Sequence, residues 1–194
     1  MLVAPERSAR VAEIVDEARE LLEREGPEGL TMRRLAEAVG IRAPSLYKHV
    51  QSKEHLEALL MAEAFRGMGA ELHEAITGAR KGRSATTALA EVGRAYRRWA
   101  LAHPHLYRLT TGGPLPRERL PEGLEAWTAE PVVVAVGGDP DRARSAWAFA
   151  HGMTILELDD RFPPDADLDA AWTAGIGALG EPGGRARPSR PARG

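Results

Sequence analysis

The stretch Thr31-Met32-Arg33-Arg34-Leu35-Ala36-Glu37-Ala38-Val39-Gly40-Ile41-Arg42-Ala43-Pro44-Ser45-Leu46-Tyr47-Lys48-His49 decides the fold. Thr31 has the side chain of an N-cap and opens a short helix through Val39. Gly40 follows as the residue whose left-handed backbone ends a helix. A second short helix spans 43–49, where Pro44 is tolerated because its missing N–H falls in the first turn. Ala36, Val39, Ile41 and Leu46 point inward, and Ser45, Tyr47, Lys48 and His49 form the outer face. Two short helices joined by a glycine turn make a helix-turn-helix.

Working outward, apolar residues recur at steps of three and four almost everywhere. Before the motif, Val11, Ile14, Val15, Ala18, Leu21 and Leu22 form one stripe of a helix over 8–25. After it, Ser52 caps a longer helix carrying Leu56, Leu59, Leu60, Ala64, Met68, Leu72 and Ile76, which breaks at 78–82. Helices over 84–102 and from His103-Pro104 to about Thr110 come next, then a loop over 112–121 with two glycines and three prolines. Residues 122–136 read as helix, although Val132 to Val136 would pass for a strand by composition alone. Asp139 and Pro140 open a helix to about Arg161, and a last one covers 167–179. The fold class is all-α, about nine helices. The expected division is a three-helix N-terminal domain over 8–54, a larger helical domain over 55–180, and a disordered tail over 181–194 with four arginines, three prolines and three glycines.

Net charge is −2 over 194 residues, but it is unevenly placed. Residues 9–30 carry net −4, and residues 31–53 carry net +4. Arg33 and Arg34 stand in the first turn of one helix and Lys53 in the first turn of another, where cations are unfavourable. A phosphate held by free backbone N–H groups and a neighbouring cation resolves both anomalies. The chain has no cysteine, which excludes disulfides, thiolate zinc sites, iron–sulfur clusters and cysteine nucleophiles. No apolar run approaches the ~20 residues of a membrane span, and the start lacks a secretory apolar stretch, so the expected location is cytoplasmic, with no membrane partner.

Residues 8–60 resemble the DNA-binding domain of the TetR family of bacterial regulators. The likeness runs from Gly29-Leu30-Thr31 to Gly40-Ile41, through Ala43 to Val50, and on to Ser52-Lys53-Glu54. It implies that Thr31, Tyr47, His49 and Lys53 touch phosphate. It also implies that Arg33, Ala43, Pro44 and Ser45 face base edges, with Arg42 and Lys48 close by. Of the base-facing residues, Arg33 has the side chain suited to a bidentate guanine contact. Tyr47 reads equally as a packing residue, and His49 as a residue that holds the helix end.

Further on, Ala146-Trp147-Ala148-Phe149-Ala150-His151-Gly152-Met153 resembles the Trp-His-Gly signature of one TetR-type C-terminal domain, and Trp99 to Leu109 fits that subgroup too. The resemblance implies a homodimer of ligand-responsive repressors binding a palindromic double-stranded DNA operator. From spacing, Trp147 and His151 share a helix face, as do Tyr96 and Trp99. With Tyr107 they make a candidate pocket for a small, mostly apolar or aromatic ligand, or else plain core. Ala143, Ala146 and Ala150 permit close helix approach, and Trp172, Ile176 and Leu179 form a second stripe, together a candidate dimer interface. No cofactor, metal or catalytic residues are assigned: His73-Glu74 lacks the second histidine of a zinc-protease motif, and His103, His105, Asp159 and Asp160 fit no familiar metal spacing. The alternatives are a helical-bundle enzyme with a vestigial DNA-binding domain, or a DNA-binding protein without a ligand.

Overall fold

The computed structural model describes residues 8–79 and 85–180, so the tail over 181–194 lies outside the described residues. These form nine α-helices and no strand: α1 (Ala9–Gly29), α2 (Met32–Ala38), α3 (Ala43–Leu46), α4 (Lys53–Ala79), α5 (Ala85–Ala102), α6 (Pro104–Thr111), α7 (Leu124–Ala135), α8 (Pro140–Leu158) and α9 (Leu168–Gly180). A 3-10 turn, Arg117–Arg119, lies within the proline-rich loop.

The caps do what their side chains dictate. Thr31 Oγ1 accepts the Arg34 N–H at 3.2 Å, Ser52 Oγ accepts that of His55 at 3.2 Å, and Asp139 accepts those of Asp141 and Arg142. Gly40 takes φ of 73° and α2 closes behind it, with Ile41 N–H bonded to Ala36 O and Gly40 N–H to Glu37 O. Three boundaries move, among them the end of α8, which lies at Leu158 and not near Arg161. α1 does not stop at residue 25: Gly26 at φ 72° kinks it, and Pro27 starts one more helical turn. α3 is shorter than the 43–49 reading, because after Leu46 the bonds tighten to the 3-10 pattern, Lys48 to Ser45 and His49 to Leu46. The valine run stays helical, with the Val136 N–H bonded to Val132 O.

One hydrophobic core runs from Ile14 in α1 to Ile176 in α9. α4 belongs to both ends of it. Its Leu56 and Leu60 are buried at the end that meets α1, while Met68, Leu72 and Ile76 are buried under α5 and α7. α4 and α7 come very close at Gly69, where a Cβ would stand 2.3 Å from the Trp127 ring. α5 packs on α8 and α9, and α6 lies against both α1 and α4.

Candidate nucleic-acid interface and regulatory cluster

Leu35, Ala36, Leu46 and Val50 are buried, with α2 packed on α1 and α3 on α2. What they turn outward is polar. Thr31, Arg33, Arg42, Pro44, Tyr47, Lys48 and Lys53 are exposed, and Ala43, Ser45 and His49 are half-buried. Tyr47 is 48% exposed, so its environment is not that of a core residue. The cations differ in their engagement. Arg33 Nε donates to Glu37 Oε1 at 3.0 Å, and Lys53 Nζ lies 3.8 Å from Glu57. Arg34 pairs with Glu25 of α1. Arg34 thus has a carboxylate of its own chain across two helices, where Arg33 and Lys53 have one within theirs. Arg42 and Lys48 have no ion pair among the described residues, and they flank the exposed face of α3.

Of the five aromatic and histidine candidates, the structure brings four together. The Tyr96 and Tyr107 hydroxyls are 2.8 Å apart, and Tyr107 Oη lies 2.7 Å from His151 Nδ1. His151 stacks on Trp147 at 6.0 Å, and Trp147 is 53% exposed, so the chain of polar groups runs from core to surface. Burial pushes the Tyr107 phenol up to about 12, raises that of Tyr96 as well, and holds the His151 imidazole below its ordinary value. The cluster is therefore neutral at pH 7, a set of hydrogen-bonding handles and not a charged site. Trp99 lies elsewhere: it is buried against Gly67 of α4, with His103 4.9 Å from its ring.

The six interface candidates face inward. Ala143, Ala146, Ala150, Trp172 and Ile176 are buried within the protomer, and Leu179 is half-buried on the same core. Trp172 meets Phe149 edge-on at 5.6 Å and the Arg97 guanidinium at 5.6 Å, while Ile176 packs on Gly93. These residues hold α8 and α9 onto α5, and the outward faces carry Ala148, Leu156, Ala170, Ala174 and Ala178. A Cβ at Gly152 or Gly177 would meet nothing within 4 Å.

Residues 14–58 match the family model of bacterial regulatory proteins of the tetR family, and residues 89–179 match that of the tetracyclin repressor-like C-terminal domain. An HTH-type transcriptional regulator of Mycobacterium tuberculosis H37Rv, Rv0681, is 34% identical over 169 residues, covering 82% of this chain and 75% of that protein. The chain belongs to the TetR family. Among solved structures, the regulatory protein SCO4313 is 28% identical with TM-score 0.68, over 91% of this chain and 98% of that one. A TetR from Acinetobacter baumannii AYE, solved in complex with minocycline, is 28% identical with TM-score 0.59, over 86% and 92%. This TetR-family chain is a DNA-binding transcriptional regulator, and the family's proteins are regulators, not enzymes. Among the described residues no helix is long and apolar enough to cross a membrane.

Two links in this TetR-family chain escape a reading by spacing. The Glu23 carboxylate of α1 accepts the backbone N–H groups of His105 at 3.2 Å and Leu106 at 2.8 Å, capping α6 from another helix. The one available signal is that His103, at the cap position of α6, is not one of the side chains that favour an N-cap. Arg97 of α5 binds Glu157 of α8 through Nε and Nη2 at 2.8 and 2.7 Å, and Asp169 of α9 through Nη1 at 2.5 Å. Its partners lie 60 and 72 residues away, and nothing local announces them.

Proposed function

We propose that the chain is a homodimeric repressor with a DNA-binding unit over 8–54 and a regulatory unit over 55–180. It reads a palindromic operator through Thr31, Arg33, Arg42, Ala43, Pro44, Ser45, Tyr47, Lys48, His49 and Lys53. The observation that carries this reading is the outer face of α2 and α3, where exposed cations stand over a fully apolar inner face. The outward surfaces of α8 and α9 meet a second copy, because their small side chains leave an open apolar strip that water would otherwise cover. A small, mostly apolar or aromatic ligand uses the Tyr96–Tyr107–His151–Trp147 chain as its polar handle and releases the operator. The likeness to a regulator solved with minocycline supports a small-molecule trigger. The test is selection of duplex DNA from a random library, followed by titration of the selected sequence against a scrambled one. The expected result is one dimer per palindrome, with discrimination of about a thousand-fold or more at physiological salt. Equal affinity for both sequences would instead make it a general DNA-binding protein.

A further inference from the structure

On the opposite side of α6 from Tyr107 lies a half-open cleft of about 390 Å³. Its apolar walls include Leu22 of α1, Met61 of α4, Leu109 of α6 and Leu115 of the following loop. Two charged side chains border it, and each has a counter-ion already: Arg108 pairs with Asp159, and Glu57 with Lys53. Thr110 and the His105 imidazole also line it. The Thr110 hydroxyl donates to Tyr107 O at 2.8 Å, which leaves its lone pairs to accept one more hydrogen bond.

We infer that this cleft is a second small-molecule site, taking an uncharged, mostly hydrocarbon ligand with a single hydrogen-bond donor. Size and chemistry agree. The volume is at the lower end of ligand pockets, fit for two or three rings. A charged ligand would find no lone ion of opposite sign, and would lose its hydration without a partner. The site goes beyond the ligand reading given above, which uses the other side of α6. Its walls come from the helices that join the DNA-binding end to the rest, so an occupant touches α1, α4 and α6 at once.

N-phenyl-1-naphthylamine, uncharged and with one N–H, is the probe, titrated by fluorescence and by thermal melting of the full chain. The dye is expected to brighten and to raise the melting temperature of the wild type. Met61→Trp, which fills the cleft, and Leu115→Glu, which puts a charge in its rim, each weaken binding about ten-fold or more. The matching sulfonate, 1-anilinonaphthalene-8-sulfonate, binds about ten-fold more weakly than the neutral dye. Absence of binding to the wild type overturns the inference, as does unchanged affinity in both folded variants or equal affinity for the sulfonate. If His151→Gln abolished binding while Met61→Trp kept it, the ligand would belong to the Tyr107 cluster. The ligand reading would then stand and the cleft would not.

Discussion

Arg33 and Lys53 are both exposed cations with a carboxylate at i+4, yet their expected effects on DNA differ in kind. Arg33→Ala should weaken operator binding by about 1–3 kcal/mol and relax preference at one base position, read by titrating single-base operator variants. Lys53→Ala should weaken all sequences alike and reduce the slope of log affinity against log salt by about one phosphate contact. A change of base preference in Lys53→Ala would reverse the assignment. The tyrosine–histidine chain gives a pH prediction. His151 has its folded pKa below the unfolded one, so as pH falls through about 6.5 the unfolded chain takes the proton first and stability is lost. Tyr107 has the opposite displacement: the unfolded phenol ionises near 10 while the folded one holds its proton to about 12, so stability is lost across that window as pH rises. Urea midpoints against pH should fall at both ends. His151→Gln should reduce the loss near pH 6.5, and Tyr107→Phe should reduce the alkaline loss without abolishing it, because the Tyr96 phenol is raised as well.

Helix α6 has a cap supplied by α1, and its loss should be measurable. Glu23→Ala leaves two partly buried N–H groups without an acceptor and should lower stability by about 1–2 kcal/mol in denaturant melts. Glu23→Gln keeps an acceptor oxygen without the charge and should recover part of that. The helices themselves were legible because the 3.6-residue period is strong in α1, α5 and α6, and because Thr31, Ser52 and Asp139 cap as their side chains require. The helix-turn-helix was legible for the same reason, with Gly40 marking its turn. What α8 and α9 turn outward was not. Ala143, Ala146 and Ala150 on one side of α8 and Ala148 and Gly152 on the other are equally small and apolar, so composition could not say which side meets α5. Packing by Trp172, Ile176 and Phe149 decides it. The partner of Arg34 was hidden likewise, because Glu25 lies in another helix and reads alone as one more acidic residue on a solvated face.

In the whole molecule, the outward faces of α8 and α9 and the continuous core make separable demands. Ala148→Glu together with Ala174→Glu should yield a folded monomer, read by sedimentation and by an unchanged helical circular-dichroism spectrum, because both sites are exposed in the single chain. Ala146→Glu places a charge at a position 3% exposed and should unfold the protein instead. A dimer that survived the double change would place the partner on another surface. The cap on α6 also bears on modular engineering. Glu23 lies in the segment that a designer would exchange to redirect a regulator to new promoters, while the amides it serves stay behind in the recipient. A chimaera built from a donor with an apolar residue at that position would carry a frayed α6. Its stability would fall whatever operator it had been given to read.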